Sequence, residues 1–246
     1  VLIESPSNPL LDAVDIAAVA RLAHAAGAKL IVDNVFASPV LTRPLDHGAD
    51  WVVYSATKHM DGQGRVLGGA ILGPAADLVE IFDPYLRHTG PALSPFNAWV
   101  ILKGLETIDL RVERASQTAA RLADLVSGHR AVDQVRYPGR ADHPQHAIHR
   151  RQMSAGGTLM AIRFKGGQAA AFNFLNALEL IDISNNLGDS KSLATHPSTT
   201  THRALSDAQQ AQMGLDPHWV RLSVGLEAFE DLAADLTCAL NAAAAY

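Results

Sequence analysis

The chain has 246 residues, 48% of them hydrophobic and 18% charged, the balance of an ordinary globular protein large enough to bury a substantial core. Its formal net charge of −5 gives no electrostatic case for nucleic acid or an anionic membrane, and no apolar run is long enough to span a bilayer. The single cysteine, Cys238, excludes an internal disulfide and suits a reducing compartment, the cytoplasm, and no signal peptide is visible.

Val1 to Glu4 has the composition of a strand and carries no initiator Met, so the chain reads as a fragment whose upstream part is absent. Two prolines make Ser5–Pro9 a loop. Asp15 has the position of an N-cap, and Ile16, Val19, Ala20, Leu22 and Ala23 follow at helical spacing. Lys29–Val32 and Trp51–Tyr54 are the next strands, and Gly68–Leu72 is a further one running away from the others. This alternation predicts a mostly parallel sheet with helices on it. Ala75–Phe82 should be helical and end at Pro84. From Ser94 to about Gly128 one long helix is expected, linking two domains. Beyond it come strands near Val132–Tyr137, Thr158–Phe164, Leu180–Ser184 and Trp219–Val224. Helices are expected near Gln145–Arg151, Gln168–Leu178 and Ala228–Ala244. The expected division is 1–104 for part of a large α/β domain and 105–246 for a smaller α+β domain.

The chemistry concentrates at strand ends. Val52-Val53-Tyr54 runs into Ser55-Ala56-Thr57-Lys58 and then a Gly-rich loop. Ligands of open α/β sheets bind at the C-terminal ends of strands. A lysine there loses its proton more readily than a surface lysine and can form a Schiff base. Asp33 closes the preceding strand, and Asn8 follows the one before, at equal steps of one αβ repeat. Two hydroxyls for a phosphate, a lysine and a carboxylate for a pyridinium nitrogen are what pyridoxal phosphate requires.

Glu4-Ser5-Pro6-Ser7-Asn8-Pro9, Val32-Asp33-Asn34-Val35-Phe36-Ala37 and Ser55-Ala56-Thr57-Lys58 resemble the signatures of the Cys/Met-metabolism family of pyridoxal-phosphate enzymes. Leu93–Trp99, Ser190–Pro197 and Val220–Glu227 agree, in the family's order, over essentially the whole chain. Asp61-Gly62-Gln63-Gly64-Arg65 is similar to the O-succinylhomoserine sulfhydrylase branch. The resemblance implies the aspartate-aminotransferase-like fold (fold type I), with helices on both faces of the sheet. It implies that Lys58 bonds to the cofactor aldehyde, that Asp33 pairs with the ring nitrogen, and that Ser55 and Thr57 take phosphate oxygens. Asn8 would reach the ring's phenolic oxygen. Arg221 would bind the substrate α-carboxylate, assisted by Ser192 or its backbone. The implied reaction is γ-replacement on an O-acylated homoserine with sulfide, in a homotetramer. Cystathionine γ-synthase and γ-lyase share these residues and are rival readings, and a non-catalytic assembly module is a third.

Each residue also has a plainer reading. Lys58 can be a surface lysine, Asp33 a cap, Arg221 half of a structural ion pair and Ser192 a turn residue. Thr199–Thr201 with His202 reads as a solvated loop. His143, His146 and His149 can line one helix face, but no Cys or carboxylate completes a metal set, so no metal is expected. Cys238 reads as a core residue, and Phe96 and Trp99 as lying near an interface.

Overall fold

The computed structural model describes residues 1–244. The first sheet is built from β1 (Leu2–Glu4), β2 (Ile31–Asp33), β3 (Trp51–Ser55) and β4 (Gly69–Leu72), in that order, with β4 alone antiparallel. Helix α1 (Ile16–Ala25) joins β1 to β2, and the short α2 (Ser38–Leu41) follows β2. Asp15 caps α1 by accepting from the Ala18 N–H at 3.0 Å, which satisfies one of the free donors of the first turn. Ile16, Ala20 and Ala23 then pack on Val32, Val52 and Tyr54. Side chains alternate along a strand, and the register aligns Glu4, Asp33 and Val53. Those residues and Ser55 therefore share the opposite face.

Helix α3 (Ala75–Asp77), a π-helical turn (Leu78–Phe82) and α4 (Asp83–Thr89) form one continuous segment. Pro84 does not end it, contrary to expectation. The Asp83 N–H reaches back five residues to Leu78 O. The change of hydrogen-bond register thus falls immediately before the proline, whose missing N–H lies in the first turn of α4. Trp51 meets Phe82 edge-on at 5.0 Å and its indole donates to Asp77 at 2.9 Å. These contacts hold the segment on the Asp33 face, so helices cover both faces.

The single long helix expected after Ser94 is two, α5 (Pro95–Leu105) and α6 (Ile108–Ser127). Thr107, at φ −125° and ψ 8°, breaks the run. Gly104 O accepts from the Arg111 guanidinium at 2.7 Å and from the Thr107 N–H, three residues on, at 3.3 Å, so the last turn of α5 is tightened. Helix α6 serves two cores: Ile108 and Val112 join the first sheet's cluster, and Ala119 to Val126 the second's.

The second sheet runs β5 (Val132–Arg136), β6 (Leu159–Phe164), β9 (Trp219–Ser223), β8 (Leu193–Thr195), β7 (Asp182–Ile183). Only β7 and β8 are parallel neighbours. Helices α7 (His146–Gln152), α8 (Gly167–Asn176), α9 (Asp207–Gln212) and α10 (Phe229–Ala243) complete it. β8 and α9 have no counterpart among the expected elements. Met160, Ile162, Val220 and Leu222 face Leu122, Phe174 and Leu236. On the other face Leu159, Ala161 and Trp219 meet Leu10, Leu11 and Phe36 from the first unit's loops. That seam carries the candidate site. Cys238 is exposed on α10, not in the core; Leu236, Ala239 and Leu240 take the apolar positions there.

Gly104 presses its backbone on the loop after Lys58, where an added Cβ would lie 2.1 Å from Met60 O. Alanine would gain about 1 kcal/mol of helix propensity, but overpacking costs about 1–3 kcal/mol. Gly104→Ala is therefore expected to lower the urea unfolding midpoint. An unchanged or raised midpoint would show that this approach is looser than described.

Candidate active site

Three loops at the C-terminal ends of parallel strands meet the central strand of the second sheet. The first follows β1. Asn8 N–H donates to Glu4 Oε2 at 3.1 Å. The Asn8 amide oxygen, expected to reach a cofactor ring, instead accepts from Arg221 Nη1 at 2.8 Å. Burial, reinforced by Asp33 on the neighbouring strand, holds the Glu4 carboxyl up to about 6.

The second loop follows β2. Asp33 Oδ1 accepts from the Val35 N–H at 3.1 Å, and burial raises its pKa above the usual carboxylate value. Asn34 is fully buried, and its amide donates to Ser38 O, Thr42 O and the Tyr54 hydroxyl. It shapes the loop and does not face the site.

The third loop follows β3. Ser55 shares the Asp33 face, and its hydroxyl makes no hydrogen bond among the described residues. The Thr57 hydroxyl closes the loop, accepting from Gly68 N–H at 3.1 Å. Lys58 is half-buried. Burial first, and the Arg221 charge second, lower its amine's pKa. Nζ donates to the side-chain carbonyl of Asn186, a residue no sequence signal singled out.

Arg221 lies on β9 between Ala161 and Thr195 and is 2% exposed. Nη2 donates to Asn185 O at 3.0 Å and Asn186 O at 3.1 Å. Nε has no partner among the described residues. Burial pulls the guanidinium down to about 10, against the pull of the Glu4 charge. Among the described residues no carboxylate hydrogen-bonds it, so the structural ion pair weighed as its plainer role is not formed there.

Ser192 is otherwise engaged. Its N–H and hydroxyl donate to Glu227 at 2.7 and 2.8 Å. Its Oγ accepts from Gly225 N–H at 2.9 Å, and its carbonyl from Asp182 N–H at 3.2 Å. No donor is left for a substrate carboxylate. His202, expected in a solvated loop, is half-buried against the Asn8 carbonyl and near Arg221, and burial lowers its pKa. His143 precedes α7, so the three histidines do not share one helix face; His143 and His149 stack edge-on at 4.7 Å. No group of three metal-ligating side chains is found among the described residues.

His59 joins the units. Its Nδ1 donates to Val35 O at 3.1 Å, so Nε2 accepts from the Thr158 hydroxyl at 2.9 Å. Burial lowers its pKa to about 4.

The fit to pyridoxal phosphate rests on what these groups lack. Among the described residues Asp33 is an acid with no cation hydrogen-bonded to it and Ser55 offers a free hydroxyl, and Lys58 is an amine eased towards neutrality by burial. A protonated ring nitrogen, a phosphate and an aldehyde are the complements of those groups. An α/β sheet presenting them at its strand ends is an arrangement suited to the pyridoxal-phosphate class of proteins. The family model for Cys/Met metabolism PLP-dependent enzymes matches residues 1–241, and the chain belongs to that family. It is 53% identical over 245 residues to O-succinylhomoserine sulfhydrylase of Mycobacterium tuberculosis (strain CDC 1551 / Oshkosh), covering 98% of this chain and 60% of that protein. It is 42% identical over 242 residues to L-methionine gamma-lyase of Pseudomonas putida, covering 98% and 61%. The crystal structure of cystathionine gamma synthase from Xanthomonas oryzae pv. oryzae in complex with aminoacrylate and cysteine superposes with a TM-score of 0.96. It is 40% identical and covers 99% of this chain and 63% of that one. The chain thus spans about 60% of the length of the curated relatives it matches.

His59, His143 and His149 are each held down to about 4 by burial. In the unfolded chain a histidine takes its proton near pH 6.5. As pH falls from there to about 4 the unfolded state binds protons that the folded state refuses, and stability drops. Glu4, held up to about 6, opposes this with one proton, and Asp33 acts in the same sense as Glu4. The histidines prevail because there are three of them and each is displaced further from its ordinary value than Glu4 is. The urea midpoint should fall between pH 6.5 and 4, less steeply in His143→Asn. A flat midpoint, or an unchanged slope in the variant, would contradict the buried neutral histidines.

Proposed function

We propose that this chain is the lysine-bearing part of a pyridoxal-phosphate enzyme catalysing γ-replacement on an O-acylated homoserine. The favoured substrates are O-succinylhomoserine and sulfide, giving homocysteine and succinate. The observation that carries the reading is Arg221: a guanidinium buried to 2% exposure with an unpartnered Nε and no carboxylate bonded to it, beside the half-buried Lys58 amine. An unpaired buried charge is expensive, and an amino-acid carboxylate complements it by the two-pronged geometry of guanidinium.

Lys58 would hold the cofactor through its amine, with Asp33 at the ring nitrogen and Ser55 and Thr57 at the phosphate. When bound, that group supplies an aldehyde for amine exchange and a ring that accepts electron density. Arg221 binds and orients the substrate carboxylate. Asn8 fixes the guanidinium by accepting from Nη1. Lys58, once free, holds or moves a proton at Nζ, and its lowered pKa makes it a more effective base near neutrality. Arg221 favours that lowered pKa by charge repulsion.

The 53% identity to a named O-succinylhomoserine sulfhydrylase supports γ-replacement. The likeness to a named methionine gamma-lyase supports γ-elimination at the same site as the second reading. A homo-oligomer is also proposed: Phe96, Trp99 and Leu102 on α5 are 67%, 56% and 58% exposed, an apolar face of the kind that marks contact surfaces. No helix among the described residues is long and apolar enough to cross a membrane, and a lone free thiol is consistent with the cytoplasm.

Borohydride reduction of the protein with pyridoxal phosphate should add the cofactor's mass to the Lys58 peptide, and Lys58→Ala should abolish both the adduct and turnover. An adduct elsewhere rejects the lysine assignment. Incubation with O-succinylhomoserine and sulfide should yield homocysteine; 2-oxobutyrate and ammonia without homocysteine would favour elimination. Arg221→Ala should weaken carboxylate binding by at least about 2 kcal/mol, roughly 30-fold, read as KM or as the dissociation constant of an unreactive amino acid.

A further inference from the structure

The turn that carries Asn8 is gripped from behind by the second unit, at a point of backbone strain. Residues Ser7–Asp12, between β1 and α1, close on themselves. Ser7 N–H donates to Asp12 O at 2.9 Å, and Leu11 N–H donates to Ser7 O at 2.8 Å. Asn8 N–H is fixed on Glu4. Leu11, within the turn, has φ +64°. That is a left-handed conformation, which a branched side chain adopts only where its surroundings enforce it.

The enforcing contacts come from α7 and β5. His149 is 2% exposed, and its Nε2 lies 3.2 Å from Leu11 O. A carbonyl oxygen only accepts, so that nitrogen carries the ring's proton. His143 backs the ring edge-on at 4.7 Å. Arg136 Nη1, on β5, donates to Asp12 Oδ1 at 2.7 Å. Further along α7, Gln152 Nε2 donates to Ser5 Oγ at 3.2 Å and to Val14 O at 3.0 Å. The Leu11 side chain is buried in the seam with Leu159 and Trp219. On its front the same turn presents the Asn8 amide oxygen to Arg221 Nη1.

We propose that His149 is a positioning residue for the carboxylate site: by holding the strained Leu11 carbonyl it keeps the Ser7–Asp12 turn, and with it the Asn8 amide oxygen, where Arg221 is aimed at the substrate. The inference rests on the reading of Arg221 given above. It deepens that reading by naming what holds the guanidinium's aim from a distance. His149 hydrogen-bonds neither Arg221 nor Lys58 among the described residues. Nη2 of Arg221 has its own main-chain partners on another loop, whereas Nη1 bonds Asn8. A relaxed turn therefore leaves the guanidinium anchored by Nη2 and free to rotate at Nη1. Strain supplies the tendency to relax, and the histidine opposes it.

Two readouts test this. In the cofactor-free full chain, His149→Ala should speed amide hydrogen exchange at Ser7 and Leu11 about tenfold, the loss of one hydrogen bond's worth of protection. His149→Gln, whose amide N–H can serve the same carbonyl, should stay within about threefold of the wild type. In the cofactor-loaded enzyme, the ligands are L-norleucine, which has no γ leaving group, and its α-amide, which has no carboxylate. His149→Ala should weaken L-norleucine about tenfold and the amide no more than about twofold, with His149→Gln recovering most of the loss. A merely structural histidine would weaken both ligands alike. Asp12→Ala breaks the second grip at a half-exposed side chain and should shift both readouts the same way by a smaller factor, so it decides the matter if His149→Ala does not fold. Unchanged exchange at Ser7 and Leu11, or equal loss of the two ligands, would overturn the proposal. If the wild-type enzyme binds L-norleucine no better than the amide, the reading of Arg221 fails, while the exchange rates still judge the grip on the turn. If it discriminates and the variants discriminate as well as it does, His149 alone fails.

Discussion

A guanidinium placed out of reach of water is the constraint around which this molecule is arranged. Arg221 sits on the central strand of the second sheet and is 2% exposed. A buried charge must be hydrogen-bonded or compensated, or the fold loses several kcal/mol. Here the compensation is assembled from three places far apart in sequence: Asn8 Oδ1 from the first loop, and the carbonyls of Asn185 and Asn186 from the β7–β8 loop. Glu4 acts only through its field. None of these is a hydrogen-bonded carboxylate. The guanidinium is therefore held in place yet left with a charge to complement, the state expected of a receptor for an anionic ligand.

The same need for satisfied polar groups draws the two sheets together. His59 bonds Val35 on one side and Thr158 on the other, and Arg111 of α6 reaches His59 O and Gly104 O at 2.8 and 2.7 Å. Lys58 lies between these anchors, so its backbone is fixed from both units while its side chain stays half-buried. The apolar seam of Leu10, Leu11, Phe36, Leu159 and Trp219 excludes water from this region. Exclusion raises the cost of charge, which moves Lys58 and Asp33 in opposite directions, the amine's pKa down and the carboxyl's up. Burial, more than any single ion pair, tunes this site.

Much of the fold was legible because it follows from local rules. Strand, capped helix and strand, repeated at an even spacing, specify parallel pairing, and Asp15 caps α1 as its position implied. The failures occurred where tertiary contact overrides local preference. Thr107 interrupts an otherwise helical run where Gly104 abuts Met60 and shares its carbonyl between the Thr107 N–H and Arg111. Pro84 stays inside a helix because a π-turn shifts the ladder ahead of it. Cys238 is exposed because the apolar stripe of α10 falls on Leu236, Ala239 and Leu240.

The amino-acid order by itself determined which groups stand at the strand ends: Asn8, Asp33, Ser55, Thr57 and Lys58, each set by period and turn chemistry within a few residues of its own strand. It also marked Arg221 as a charge in an apolar strand. Only the tertiary structure decided what those groups meet. Ser192 is withdrawn to Glu227 and Gly225, His202 approaches Asn8 and Arg221, and Asn186 bridges Lys58 and Arg221. The physical reason is sequence distance. These partners are separated along the chain by tens to hundreds of residues, and a hydrogen bond depends on a few tenths of an ångström. Periodicity does not encode separations on that scale, and close packing of two sheets does.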